Sequence, residues 1–442
     1  MKLFDVLLAF AALSLLLLLA TALRQRLRIL QRLGLPEALI AGLLGLAIGP
    51  FSPLRLFPER VTAVWSQTPG VLITVVFATL FLGQALPSPR QLWQRSASQV
   101  AFGMVLGFGQ YLVGGLALLL VLGPLLGTNP LMACLIEVGF EGGHGTAAGM
   151  GPSFAELGLA SGEALGLAMA TVGVLAAVLL GSTLVVIGRR RRWLVSTGAS
   201  GASADLALEE EAVRRPLLPA GPSPTIDALT VNLALIGAAV GLGVLLKEAL
   251  VASWPLLKAL PLFPLAMVGG LIVQLLLQRA GKPQLASAPL QHSLGALAMD
   301  LLITAAMASL NLPLLEEAWL PFVVLALLGL AWNLAVFWWL APRLFADAWF
   351  ERGLADFGQG TGVTATGLLL LRMADPYGRS GVLEAFSFKQ LVFEPFLGGG
   401  LVTALAPIAL VSLGLPLWTA LAALLTLAAL GLGLAMRKQA QG

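Results

Sequence analysis

The chain has 442 residues, 58% of them hydrophobic and 11% charged, and its 26 basic and 22 acidic side chains leave a net charge of +4. A soluble domain of this size needs roughly a quarter of its residues charged, so composition excludes one, and the near-balance of charge leaves no broad basic face for nucleic acid. Runs such as Leu7 to Ala22 are continuously apolar and do not alternate with polar residues, which excludes a barrel and predicts an all-α polytopic membrane protein. The single Cys134, in an apolar stretch, allows neither an internal disulfide nor a thiolate cluster.

At about 20 apolar residues per crossing, spanning helices are predicted near 4–23, 35–52, 69–86, 97–123 and 163–188. A second set follows near 227–247, 258–278, 290–312, 318–342 and 385–413, with a last one near 416–436. Arg24, Arg26, Arg28 and Arg32 follow the first apolar run instead of preceding it, so a retained helix is favoured over a signal peptide ending near Ala20-Thr21-Ala22, and the N-terminus falls outside. Threading onward, Arg90 and Arg95, the run from Arg189 to Arg192, Arg279, Lys282, Arg343, Arg437 and Lys438 gather on the cytoplasmic side, where the C-terminus also falls. That bias survives only if residues 130–156 enter and leave on the outer side and residues 347–375 on the inner side. Both segments are therefore read as re-entrant hairpins; each is broken by Gly and polar residues, and irregular backbone at membrane depth needs a protein or water lining. Residues 189–226 read as a cytoplasmic linker: arginines, then Ser/Gly/Ala, acidic residues and a Pro-rich tail, with no assigned chemistry.

The two halves match segment by segment. The run from Pro36 to Leu43 matches that from Pro264 to Leu271, and Leu72-Ile73-Thr74 with Ala78-Thr79-Leu80 matches Leu302-Ile303-Thr304 with Ala308-Ser309-Leu310. Gly143-His144-Gly145-Thr146 then matches Gly358-Gln359-Gly360-Thr361 in the same chain order. Five spans plus one hairpin make an odd number of crossings per copy, so residues 1–188 and 227–413 are expected to be inverted-topology repeats, with 414–442 an extra C-terminal helix and tail. Inverted repeats with broken elements at the midplane mark secondary transporters, whose two related halves exchange conformations in alternating access.

Closely spaced glycines permit unwound backbone whose N–H and C=O groups are free to meet a ligand. The first hairpin carries Glu137, Glu141, Gly142, Gly143, His144, Gly145, Thr146 and Gly149; the second carries Asp356, Gly358, Gln359, Gly360, Thr361, Gly362, Thr364 and Thr366. A half-helix N-terminus suits a substrate carboxylate, and carbonyls with Thr hydroxyls suit Na+. Gly142 to Thr146 and Gly358 to Gly362 are thus the expected substrate contacts. Glu141, Asp300, Asp356 and Thr364 are expected to couple cations, with Glu141, Asp356, Thr146 and Thr361 as the Na+ candidates, because an ionisable group placed inside the membrane is a functional candidate by default. Small-residue helix packing is the competing account of the glycines. Glu394, five residues after Lys389, reads as half of a structural ion pair, and His292 as incidental. No zinc, Ser-His-Asp or phosphate-cradling pattern stands out, so an enzyme is not expected.

Several strings carry a resemblance: Leu35-Pro36-Glu37, Phe77-Ala78-Thr79-Leu80, Asn129-Pro130-Leu131-Met132, Ala168-Met169-Ala170-Thr171, Gly358 to Gly362 and, most specifically, Gly142-Gly143-His144-Gly145-Thr146. With these the chain resembles the glutamate:sodium symporter family of bacterial inner-membrane carriers over most of its length. The resemblance implies Na+-driven uptake of glutamate by a homodimer whose hairpin-bearing unit moves, elevator-fashion, against a dimerising scaffold. It implies no cofactor beyond the coupling ion, and as partners the solute, Na+ and membrane lipids. The family pattern has Ser at the place of Glu141 and His at that of Asp356, so this chain adds two carboxylates. The reading is Na+-coupled symport of glutamate or a similar small carboxylate-bearing solute. The alternatives are a proton-coupled carrier of another solute, using Glu141 or Asp356, and a channel.

Overall fold

Apolar chains without water around them must satisfy every backbone N–H within the segment, and helices do so one by one. The computed structural model, which describes residues 3–27, 30, 36–50, 54–84, 89–195, 226–311, 313–316, 318–376 and 378–441, is helical in this way and holds no strand among those residues. Among the described residues, eight helical stretches are long and apolar enough to cross a membrane. Most of the linker read at 189–226 lies outside the described residues.

The first half comprises α1 (Leu3–Arg26), α2 (Glu37–Ile48), α3 (Glu59–Trp65), α4 (Thr68–Thr79), α5 (Pro89–Ala117), α6 (Leu135–Phe140), α7 (Gly143–Glu156) and α8 (Gly162–Arg191). The second comprises α9 (Ile226–Ser253), α10 (Phe263–Arg279), α11 (Ala288–Ala308), α12 (Trp319–Ala335), α13 (Trp349–Ala374), α14 (Val382–Phe393), α15 (Leu401–Leu413) and α16 (Leu415–Gln441). Both α5 and α12 run into a π-helical turn, Leu118–Leu122 and Val336–Leu340, followed by a four-residue helix with Pro124 or Pro342 at its second position. Proline lacks the N–H an α-turn would use, and the wider turn accommodates it.

Two groups of helices result. In one, α11 packs on α2 and α4, α10 on α4 and α9, and α1 on α2. Its contacts are reciprocal between the halves: a Cβ on Gly42 would run into Met307 of α11, and one on Gly270 into the Ala78 carbonyl of α4. Small residues at these crossings let the backbones approach, the usual device where lipid removes the hydrophobic drive. In the other group α5 receives α16 and α14, while α8 receives α6, α7 and α13. A cleft of about 710 Å³ opens between the groups, walled by Thr62, Ala63 and Asn311 on one side and by Ala160, Glu163 and Leu167 on the other.

The span expected at 385–413 is not continuous: Pro395 and the Gly398-Gly399-Gly400 run break it into α14 and α15. The spans expected at 35–52 and 69–86 also differ, α2 being only 12 residues long and α4 ending at Thr79 after a break from α3 at Ser66 and Gln67.

Candidate functional site

Helix α8 serves as a ruler. Its start meets the end of α7, since a Cβ on Gly162 would overlap Phe154, and just before it Asn129 Nδ2 donates to the Gly158 carbonyl at 2.9 Å, tying together the two ends of the 130–156 segment. At its far end Gly188 abuts Phe350, and Arg189 Nη2 donates to the Met373 carbonyl at 2.7 Å, so both ends of α13 lie at that level. Each segment therefore doubles back on itself. In α13 the fold occurs at Gly362 and Val363, whose φ of −151° and +66° are not helical, and Gly358 and Gly367 let the two legs touch. In the first segment it occurs between α6 and α7, at Gly143 with φ +68°. Within α8, 11 residues after its first, Gly173 touches both Phe140 and the Thr361 carbonyl.

The folds face each other: a Cβ on Gly143 would overlap Val363 Cγ1. The sequence match sets Gly143 against Gly358, yet in conformation its counterpart is Val363, because the break in α13 falls after the Gly-Gln-Gly-Thr string. A third break joins them. Gly398 sits 3.5 Å, by its would-be Cβ, from the Glu141 carbonyl, and Gly399, at φ +104°, leaves room for the Thr146 hydroxyl. This 394–400 stretch is the part of the site that the sequence reading missed. Its signal was present, three consecutive glycines after a proline inside an apolar run, but hydropathy alone reads through it.

The carboxylates divide by partner. Glu137 is fully buried and saturated: Oε1 accepts from the Gly398 N–H at 2.9 Å and the Thr403 hydroxyl at 2.7 Å, and Oε2 accepts from Tyr111 at 2.5 Å. Asp356 pairs with Lys389 Nζ at 3.2 Å, both side chains being shut off from solvent, and Oδ2 accepts from Gln99 Nε2 at 2.7 Å. Lys389 also donates to Gln359 Oε1 and lies 3.7 Å from the centre of the Phe393 ring. Lys389 and Glu394 do not pair with each other; Glu394 instead accepts from Thr364 at 2.6 Å. Glu141 is buried, and its Oε2 has no hydrogen-bond partner among the described residues.

The four Na+ candidates differ in their partners. Thr361 Oγ1 accepts from Asn333 at 3.0 Å, Asp356 is held by Lys389, the Thr146 hydroxyl faces Gly399, and the Glu141 carbonyl faces the neighbouring Gly398. Gln359 and the Gly360 carbonyl are likewise occupied, the first by Lys389 and Gln390, the second by Gln110 and Asn333. His144 is buried beside Thr171 of α8, 3.0 Å from its hydroxyl. Asp300 is exposed on α11, and His292 is exposed as well. The partly open surface at the folds consists of Gly142, Val363, Thr364, Glu394 and Gly398, next to the first turn of α7 and of the second leg of α13. Two helix N-termini with unused N–H groups beside one opening can hold an anion, and carbonyls freed by the 394–400 break can hold a cation. Among the described residues no three His, Cys, Asp or Glu side chains are placed to hold a metal ion.

The family model described as sodium/glutamate symporter matches residues 2–367. None of the curated proteins matches the chain. Among solved structures, the sodium proton antiporter MjNhaP1 from Methanocaldococcus jannaschii aligns at 18% identity over 92% of this chain and 99% of its own, with a TM-score of 0.40.

Proposed function

The chain belongs to the sodium/glutamate symporter family, and from that membership we propose that it takes up glutamate or a similar small carboxylate-bearing solute together with Na+, by alternating access. The family makes it a membrane transporter and not an enzyme, with Na+ as coupling ion. The observation that carries the reading further is the meeting of three chain breaks at Gly142-Gly143, Gly362-Val363 and 394–400, at the level of Gly173 in α8, with the two folded segments arriving from its opposite ends.

In this proposal 130–156 and 347–375 are re-entrant hairpins entering from opposite faces, and 1–188 and 227–413 are inverted repeats. The reciprocal Gly42 and Gly270 contacts and the paired π-turns support that symmetry. The solute carboxylate sits on the N-terminal turns of α7 and of the second leg of α13, contacting Gly142, Gly143, Val363 and Thr364. Na+ sits on the Thr146 hydroxyl, the Glu141 carbonyl and carbonyls of 394–400. Lys389 acts as a built-in cation for Asp356, so the added carboxylate at that position does not repel an anionic solute. The group containing α2, α4, α9, α10 and α11 is the stationary, dimerising scaffold, and the cleft beside it is where the moving group slides. The protein then lies in a bacterial inner membrane with its N-terminus outside and its C-terminus in the cytoplasm.

Uptake into proteoliposomes under separately imposed Na+ and H+ gradients, across a panel of labelled amino acids and carboxylates, tests the proposal. Saturable, Na+-gradient-driven accumulation of an acidic amino acid is expected. Conductance that neither saturates nor follows the Na+ gradient would mean a channel.

A further inference from the structure

Asp356 and Gln359 stand three residues apart on the first leg of α13, which makes their side chains neighbours on one face. Each is fixed by an amide of another helix. Gln99 of α5 donates to Asp356 Oδ2 at 2.7 Å, and its own orientation is set by donating to the Arg352 carbonyl at 3.1 Å and accepting from Arg352 Nη1 at 3.2 Å. Gln390 of α14 exchanges two hydrogen bonds with Gln359, at 2.8 and 2.9 Å. Asp356 Oδ1 and Gln359 Oε1 both meet Lys389 Nζ, the first at 3.2 Å, and Oδ1 accepts from no other donor among the described residues. None of the hydrogen bonds from Gln99 and Gln390 needs Lys389, so the two oxygens keep their places whether or not an ammonium lies against them.

The ammonium reaches them through space left by Gly103 of α5, where a Cβ would lie 2.7 Å from Lys389 Cε and 2.9 Å from Nζ. Phe393, one turn further along α14, sets its ring centre 3.7 Å from Nζ, and an aromatic face attracts an ammonium or a free cation alike. Hard cations take carboxylate and carbonyl oxygens, so the ligands around Nζ also suit Na+. A buried ion pair adds little stability over apolar packing, and this one sits where movement is transmitted: α13 folds at Gly362 and Val363, and α14 leads into the 394–400 break.

We propose that Asp356 Oδ1 and Gln359 Oε1 form a monovalent-cation site which the chain fills with its own Lys389 ammonium, and that removing the ammonium opens this site to Na+. The resident charge stays with the protein through the whole cycle and adds nothing to the Na+ moved per solute. A Na+ in its place would load and leave with the solute and raise that ratio by one. The binding part stands on the geometry alone, and the coupling part rests on the transport reading.

Lys389→Met shortens the side chain by one atom and vacates the ammonium position alone. Binding of radiolabelled Na+ to the purified full chain, and thermal unfolding in detergent with Na+ exchanged for choline at constant ionic strength, test the site. Lys389→Met is expected to bind one more Na+ per chain than the unmutated protein and to gain several degrees more in unfolding temperature from Na+; Lys389→Met/Asp356→Asn loses both gains. Equal Na+ binding by Lys389→Met and the unmutated protein, or an extra Na+ that persists in the double variant, overturns the site. So does failure of Lys389→Met to fold at any Na+ concentration, since a vacated cation site would refill. In proteoliposomes the Na+-to-solute ratio, read from paired labels, is expected to rise by one in Lys389→Met. An extra bound Na+ with an unchanged ratio overturns the part in coupling. If the unmutated protein takes up no solute, the transport reading fails on its own, and Na+ binding still decides whether Lys389 occupies a cation site.

Discussion

Lys389 and Asp356 form an ion pair with neither side chain reaching solvent, and a pair so placed is costly to break on one side only. Lys389→Ala is expected to lower stability by about 3–5 kcal/mol, whereas adding Asp356→Ala to it recovers much of the loss; thermal unfolding of the two single variants and the double variant in detergent gives the coupling directly. The glycines at the folds also separate by position. Gly143 combines φ +68° with a Cβ overlap on Val363, while the nearest neighbours of a Cβ on Gly360 lie at 3.3–3.4 Å, which a small shift accommodates. Gly143→Ala should therefore abolish uptake and Gly360→Ala should keep most of it, a contrast that equal effects in a transport assay would contradict. These differences were only partly legible beforehand. That Glu137, Glu141 and Asp356 matter follows from carboxylates in apolar sequence, but their partners do not: Lys389 precedes Glu394 by five residues, a spacing that puts the two on different helix faces, and the true partner of Lys389 lies in another segment.

At the scale of elements, the sequence marks where chain must bend and says less about how far it unwinds. That the chain folds back within 130–156 and 347–375 was legible from their Gly content, while the interruption between α14 and α15 was not, because its flanks are as apolar as a continuous span. That interruption ties the first folded segment to the last helices through Glu137, Gly398 and Thr403. Gly399 has φ +104° and no space for a methyl group beside Thr146. On the proposed Na+ placement, Gly399→Ala raises the Na+ concentration for half-maximal uptake several-fold while solute affinity at saturating Na+ changes less; an unchanged Na+ dependence removes 394–400 from the cation site.

For the whole molecule, the cleft separates the two groups of helices on the side where the 130–156 segment has its ends, and its floor at Leu167 lies one turn of α8 from the Thr171 and His144 pair. A carrier that works by sliding one group along the other must change this cleft in every cycle. Cysteines replacing the exposed Ala63 and Ala160, one on each wall, placed in a Cys134→Ala background and bridged by a bifunctional thiol reagent, are expected to stop uptake, with recovery when a cleavable bridge is cut. Full uptake with the bridge in place would rule out relative movement at this face.

The ruler formed by α8 also has an electrical meaning. Gly173 stands about 16 Å from Gly162 and about 22 Å from Gly188 at 1.5 Å per residue, so the folds that meet there divide the helix unequally. If α8 crosses the membrane from Gly162 to Gly188, as proposed, a monovalent cation reaching them from the 130–156 side has crossed about two-fifths of the transmembrane field, and one arriving from the other side about three-fifths. At about 2.3 kcal/mol per charge per 100 mV, binding from the nearer side gains or loses about 1 kcal/mol, close to fivefold in affinity, for each 100 mV of potential. With the 130–156 side facing outward, as proposed, the apparent Na+ affinity should rise as the interior becomes more negative, and the slope of that dependence reads the depth of the site from outside the protein.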